Sequence, residues 1–103
     1  VTDSECYQIA YKEYPSDFSM QQFVYDKQVS AKRYMGSVGD ADCLQISINE
    51  YPYDYSMQQF TYDKQIAAKT YMNSIPNSQA KQAAIREYPY DYSMQKYAYN
   101  RGY

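Results

Sequence analysis

Apolar and polar positions along the chain follow a helical period. From Met20 to Met35 six apolar residues fall on one helical face, within about 120° of one another at 100° per residue, and Tyr25 and Val29 form a narrower stripe nearly opposite. The stretch from Met57 to Met72 repeats the pattern. The predicted apolar face consists of Met20, Phe23, Val24, Ala31, Tyr34 and Met35, and its copy of Met57, Phe60, Thr61, Ala68, Tyr71 and Met72. The periodicity therefore predicts an all-α fold.

One phrase of eleven residues occurs three times. It reads EYPSDFSMQQF from residue 13, EYPYDYSMQQF from residue 50 and EYPYDYSMQKY from residue 87, a period of 37 residues. Periods of 20 to 50 residues are typical of repeat architectures, in which each unit buries its face on the next. We therefore predict one domain, residues 1–103, with repeat units 3–39, 40–76 and 77–103. Two full helical hairpins and a truncated third would form a short α-solenoid-like array.

Cap residues predict where the short first helix of each unit begins and ends. Asp3, Asp40 and Asn77 stand at the same register and are residue types that favour the N-cap position. Each helix is expected to end at the tyrosine that precedes a proline, because proline disfavours the α conformation of the residue before it. These tyrosines are Tyr14, Tyr51 and Tyr88.

The long second helix also carries cap signals. Ser19 with Gln22, and Ser56 with Gln59, match the S-x-x-Q pattern of a capping box. The residues after the long helices are typical of left-handed C-caps; they are Gly36 and Asn73. Asp17, Asp54 and Asp91 are expected to accept backbone N–H bonds at the helix starts. One aspartate per turn is far from the oxygen count that calcium requires.

Charged residues occupy the predicted apolar side of both helices. Such charges would be costly without partners, so we predict structural ion pairs within or between units. The basic members are Lys27, Lys64 and Arg101, and the acidic members are Glu13, Glu50 and Glu87. A carboxylate beside a lysine can also be catalytic, but an active site is rarely built in triplicate along one small domain.

The two cysteines occupy the same position of the first two units, and the third unit has Ala80 there. Three interpretations of Cys6 and Cys43 remain open. They are buried thiols, a disulfide that links the two units, or a metal or redox site. Without histidine or a C-x-x-C motif the third interpretation lacks ligands, and no metal or other cofactor is predicted.

Tyrosines cluster where the short helix meets the long one. Tyrosine provides rigid contact area at low entropic cost and is enriched at interfaces. We therefore predict a binding edge for a protein, a peptide or sugar rings, with packing over neighbouring units as the alternative. Its residues are Tyr53, Tyr55, Tyr90 and Tyr92, and Ser16 and Phe18 replace the corresponding tyrosines in the first unit.

Composition excludes several classes of function. The ten Lys and Arg residues against twelve Asp and Glu form no positive stripe, so nucleic-acid binding is not expected. No apolar run approaches the ~20 residues that cross a bilayer. The chain has no histidine and no nucleophile–base pair, so an enzyme is not predicted. A start at Val1 without methionine favours a processed, exported protein, periplasmic or extracellular.

The phrase Tyr-Pro-x-Asp-Tyr-Ser-Met-Gln, followed by Tyr62, Lys64 and Gln65, resembles short helical repeats of uncharacterised, often exported bacterial proteins. The resemblance implies no activity or ligand. The sequence as a whole favours a non-enzymatic structural or protein-interaction module, which binds another protein or assembles with itself head to tail. The alternative is an exported protein that binds a small ligand or metal through the Glu, Lys and Cys positions.

Overall fold

The computed structural model describes residues 3–102 of the chain. Within this range it contains six α-helices and no strand, which confirms the all-α prediction. The helices are α1 (Ser4–Glu13), α2 (Phe18–Met35), α3 (Ala41–Glu50), α4 (Tyr55–Ser74), α5 (Gln79–Glu87) and α6 (Tyr92–Gly102). None of these helices combines the length and the apolar character that a membrane crossing requires.

The chain forms two compact units, Val1–Phe60 and Thr61–Tyr103, so the boundary falls inside α4. In the N-terminal unit α1 packs against α2, and in the C-terminal unit α5 packs against α6. We call these pairs the N-terminal hairpin and the C-terminal hairpin.

Short helices end at the tyrosine before each proline, as predicted. Tyr14, Tyr51 and Tyr88 are the C-caps of α1, α3 and α5. Each donates its backbone N–H to a carbonyl four residues earlier. The predicted N-caps Asp3 and Asp40 are also confirmed, since their side chains accept from the backbone N–H three residues later.

The third N-cap prediction was wrong by one residue. Ser78, and not Asn77, caps α5, and its hydroxyl accepts from the backbone N–H of Lys81 at 3.1 Å. Asn77 instead accepts a hydrogen bond from the Gln82 side chain at 2.6 Å. Asn77 and Ser78 are both residue types that favour the N-cap position, and Ser78 is the one directly before the helix.

The long helix α2 begins earlier than predicted, because Asp17 and not Ser19 is its N-cap. The predicted capping box of Ser19 with Gln22 was therefore wrong, and Ser19 lies inside the first turn. The predicted left-handed caps were wrong as well. Gly36 has a right-handed φ of −72°, and Asn73 lies within α4.

The core of the N-terminal unit consists of small side chains and glutamines. Along α2 the buried residues alternate at intervals of three and four, namely Gln21, Val24, Gln28, Ala31 and Met35. The remaining buried residues of this unit are Cys6, Ala10, Cys43, Ser47 and Gln58. Small residues at helix contacts let the helices approach closely, since interiors are packed with few voids.

The predicted apolar face was wrong at its two phenylalanines and at Tyr34, which is 38% exposed. Phe23 is 60% exposed and Phe60 is 61% exposed. Glutamines occupy the interior on the opposite side of the same helix, because their amides find hydrogen-bond partners there. In the C-terminal unit the core forms around Met72, Ala84 and Ala98, with partly buried Tyr71, Ile75, Ile85, Tyr88 and Tyr99 packed on it.

Candidate interaction surface

Each repeated phrase folds into a corner between a short helix and a long one. We call residues 14–19 the first corner, 51–56 the second and 88–93 the third. A buried glutamine in the following helix donates to the C-cap carbonyl of each corner. The three bonds join Gln21 to Tyr14 at 2.6 Å, Gln58 to Tyr51 at 2.7 Å and Gln95 to Tyr88 at 2.7 Å. These bonds satisfy carbonyls that a helix end would leave without an intrahelical partner.

Each corner aspartate caps the helix that follows, as the sequence predicted. The carboxylates of Asp17, Asp54 and Asp91 accept from the backbone N–H of the residue three positions on, at 3.1 Å in all three copies. No group of three or more His, Cys, Asp or Glu side chains within residues 3–102 is arranged to hold a metal ion.

A second glutamine connects the N-terminal hairpin to the second corner. Gln28 is 2% exposed, and its Nε2 donates to Oδ1 of Asp54 at 2.8 Å. Its Oε1 accepts from the backbone N–H of Tyr55 at 2.8 Å. We call this arrangement a glutamine bridge. The donor side of the amide meets a carboxylate and the acceptor side meets the start of a helix, so both ends of the buried amide are satisfied.

The same bridge recurs at the third corner. Gln65 donates to Oδ1 of Asp91 at 2.8 Å and accepts from the backbone N–H of Tyr92 at 2.9 Å. One detail differs. Ser56 Oγ lies 3.0 Å from both Asp54 and Gln28, whereas Ser93 Oγ is buried without a hydrogen-bond partner among the described residues.

Burial of Asp54 raises the pKa of its carboxyl, but hydrogen bonds from Gln28, Met57 and Ser56 outweigh burial. The net result is a pKa below the ordinary value, so the bridge contains a carboxylate at neutral pH. A hydrogen bond to a charged group is roughly twice as strong as a neutral one.

Two of the four predicted edge tyrosines contact charged side chains of their own unit. Tyr55 donates its hydroxyl to Glu5, and the ammonium of Lys32 lies 5.5 Å from its ring centroid. Burial, followed by the bond to Glu5, raises the pKa of Tyr55 to about 12. In the C-terminal unit Lys69 lies 5.3 Å from the ring centroid of Tyr92. Both tyrosines are half-buried, and these contacts are made within the protein and not with solvent.

The other two predicted edge tyrosines point into solvent. Tyr53 is 81% exposed and Tyr90 is 84% exposed. Tyr53 also lines an open groove along α1, with Glu5, Gln8, Ile9, Lys12 and Glu13. The backbone of each corner is hydrogen-bonded on both sides of these residues, at the end of the short helix and at the start of the long one.

A second exposed set was not predicted from the sequence, which placed two of its members, Phe23 and Phe60, on the apolar face. Phe23, Phe60 and Tyr97 are copies of one position and are 60%, 61% and 56% exposed. The sequence contained one signal for this exposure. Each of the three residues follows a glutamine by two positions in every copy of the repeat, namely Gln21, Gln58 and Gln95.

Only part of the predicted ion pairing is present in the structure. Arg101 contacts both carboxylate oxygens of Glu87 at 3.2 Å. Glu13 and Lys27 are exposed, and no ion pair joins them in the described part of the chain. Glu50 and Lys64 are exposed as well, so the premise that these charges lie within an apolar face was wrong.

An ion pair that was not predicted closes the N-terminal hairpin. Lys32 Nζ lies 2.9 Å from Asp3 and 3.0 Å from Glu5. Hydrogen bonding to Asp3 and then Glu5 raises the pKa of Lys32. The hydrogen bonds from Tyr55 and Lys32 lower the pKa of Glu5.

Cys6 and Cys43 form no disulfide and are fully buried, so the disulfide interpretation does not hold in this structure. Each backbone N–H is bound to the N-cap aspartate of its own helix, which fixes each thiol inside its own first turn. Desolvation raises the pKa of the Cys6 thiol to about 11, so it stays protonated and unreactive at neutral pH.

Comparison of the chain with protein-family models, with curated proteins and with solved structures gives no match. The candidate surface is therefore defined by the geometry of the chain alone.

Proposed function

We propose that this chain is a non-enzymatic interaction module, in which stacked helical repeats present rigid exposed aromatic rings to a protein partner. The observation that carries the proposal is the exposure of Tyr53 and Tyr90 on corners whose C-cap carbonyl and following helix start are both hydrogen-bonded. Binding hot spots are enriched in tyrosine, and a rigid ring loses little entropy when it is covered. The exposed set Phe23, Phe60 and Tyr97 adds apolar area of the kind that marks interfaces.

Self-assembly is a less favoured form of the same proposal. Head-to-tail contact would need the last unit to supply a glutamine bridge to the first corner of the next molecule. The third unit has Gly102 at the position of Gln28 and Gln65, and glycine cannot supply the amide. Light scattering over a hundredfold range of concentration distinguishes the two forms, because assembly requires a mass that rises with concentration.

We also propose an exported location, which fractionation of cells that express the tagged protein would test. Accumulation in the cytoplasm alone would contradict it.

A small-ligand function is supported by the groove beside Tyr53. The groove places an exposed ring next to Ile9, Glu13 and Lys12, an arrangement suited to a sugar ring, which stacks on an aromatic face and bonds to polar neighbours. The Cys6 part of this alternative is not favoured, because a fully buried thiol cannot contact a ligand in the groove.

The deciding experiment compares partner capture by the wild type and by the double variant Tyr53→Ser, Tyr90→Ser. The matched control is Tyr11→Ser, which removes a ring that is 47% exposed outside the corners. We expect the double variant to lose a saturable partner that the control retains, with circular dichroism unchanged in both. Equal capture by all three proteins would contradict the proposal. A loss of glycan binding without loss of a protein partner would favour the small-ligand function.

A further inference from the structure

The first corner is more exposed than the other two corners in the part of the chain that the structure describes. Phe18 occupies the position of Tyr55 and Tyr92, but it is 81% exposed whereas both tyrosines are half-buried. Asp17 and Ser19 are exposed, and their copies at the second and third corners are half-buried. Within residues 3–102 the first corner therefore has no covering helix like that of the other two corners.

The covering group at the other two corners has a defined chemistry. In each case one helix supplies a glutamine and, four residues later, a lysine. Gln28 binds the corner aspartate while Lys32 lies over the corner ring, and Gln65 and Lys69 do the same at the third corner. Residues four apart lie on the same face of a helix, so one helical surface makes both contacts.

A groove lies beside the open ring. It is lined by Tyr7, Phe18, Gln21, Gln22 and Tyr25, all from the N-terminal hairpin. Tyr7 is 44% exposed, although its copies Leu44 and Lys81 are half-buried. The groove thus continues the uncovered surface from the corner onto both helices.

We infer that the first corner is a docking surface for a helix from outside residues 1–103 that carries glutamine and, four residues later, lysine on one face. The glutamine amide donates to Asp17 and accepts from the backbone N–H of Phe18, and the lysine lies over the Phe18 ring. A second copy of this chain is not the occupant. Its two Gln-x-x-x-Lys helices already bridge its own corners, and Gly102 replaces the glutamine of its third unit.

The test uses the 103-residue chain and a synthetic peptide with the sequence of residues 55–72, held helical by a staple on its exposed side. We expect saturable binding by fluorescence anisotropy and slowed hydrogen exchange at the amides of Phe18 and Ser19. A peptide with leucine in place of the glutamine that corresponds to Gln65 is expected to bind about tenfold or more weakly, since a charge-assisted hydrogen bond is lost.

Variants of the chain distinguish specific binding at the first corner from non-specific binding of the peptide. Phe18→Ser is expected to weaken binding several-fold or more, and Phe23→Ser on the same helix is expected to bind as the wild type does. Both residues are mostly exposed, so both variants keep the fold. Absence of saturable binding up to millimolar peptide, equal affinity for Phe18→Ser, or slowed exchange away from the first corner would each overturn the inference. A dimer of the chain that Phe18→Ser abolishes would overturn it too, by assigning the surface to a second copy.

Discussion

The N-terminal and C-terminal hairpins share the repeated phrase, but different charges close them. Gln21 and Gln95 make the same hydrogen bond to the corner carbonyl in the two hairpins. The ion pairs are unrelated, because Lys32 contacts the start of α1 while Arg101 contacts Glu87 at the end of α5. The geometry that recurs in both hairpins is therefore held by backbone groups and glutamines. The ion pairs differ between the hairpins, and at a surface such pairs contribute little to the free energy of unfolding.

The glutamine bridges are expected to have the largest effect on stability. Gln28→Ala leaves the partly buried carboxylate of Asp54 and a helix N–H without their partner, so we expect a loss of about 3 kcal/mol in the free energy of unfolding. Gln65→Ala is expected to cost about as much. Urea denaturation measures both, with the exposed Gln22→Ala as the control. A cost below about 1 kcal/mol for either bridge variant would show that the bridge is incidental.

Loss of the glutamine bonds to the C-cap carbonyls is expected to have the second largest effect on the free energy of unfolding. This effect should be equal in the two hairpins. Gln21→Ala and Gln95→Ala each remove one bond to a helix C-cap carbonyl and leave a small cavity, so we expect about 2 kcal/mol from each. Amide hydrogen exchange within α1 and α5 reports each hairpin separately. A difference of more than about 1 kcal/mol between the two variants would contradict the equivalence of the hairpins.

The second and third corners should respond oppositely to loss of their serine. Ser56→Ala removes a hydroxyl that lies 3.0 Å from both Asp54 and Gln28, so we expect a loss of about 1 kcal/mol. Ser93→Ala removes a buried hydroxyl without a partner among residues 3–102 and should be neutral or stabilising. Thermal denaturation of both variants measures the difference. A larger loss of stability in Ser93→Ala than in Ser56→Ala would mean that the Ser93 hydroxyl is hydrogen-bonded in solution.

The ion pair of the C-terminal hairpin should have a smaller, salt-dependent effect. We expect Arg101→Met to lower the Tm slightly at low salt and not at 1 M salt, where exposed charges are screened. Lys27→Met, at the equivalent position of the N-terminal hairpin, should leave the Tm unchanged because Lys27 has no ion pair with Glu13. A salt-dependent decrease for Lys27→Met would indicate that the predicted pair does form in solution.

Acid should weaken the N-terminal hairpin through Glu5. The pKa of Glu5 is lowered in the folded state from its ordinary value of 4.5, so the unfolded state binds the proton first as the pH falls. The stabilisation is present above that ordinary value and is lost as the pH falls through the lower folded value. Hydrogen exchange in α1 at pH 6, 4 and 3 measures it. Glu5→Gln should flatten this dependence, and an unchanged slope in that variant would exclude Glu5 as its source.

Sequence alone was sufficient for the helix class and for the ends of the short helices. A proline disfavours the α conformation of the residue before it, which is why the helix ends at Tyr14, Tyr51 and Tyr88 could be predicted. The start of α2 was less determined, because Asp17 and Ser19 are both good caps and only the path of the backbone decides between them.

The interior could not be read from hydropathy. A buried glutamine is unfavourable until both ends of its amide are bonded, and the partners of Gln28 lie 26 and 27 residues further along the chain. The repeat did contain the signal, since Gln21, Gln58 and Gln95 occupy one position in three copies. If this repeated glutamine position had been assigned to the interior, the buried face of α2 would have been placed around Gln21, and Phe23 would have been predicted to be exposed.

The glutamine bridge also bears on how such a chain can change its length. A full unit brings one glutamine that bridges forward and one corner that accepts a bridge. Duplication or deletion of a 37-residue segment within the coding sequence therefore changes donors and acceptors together and leaves no buried amide without a partner. An insertion of any other length between a bridge glutamine and its corner would separate the two, so variation by whole repeats is the change that this architecture tolerates.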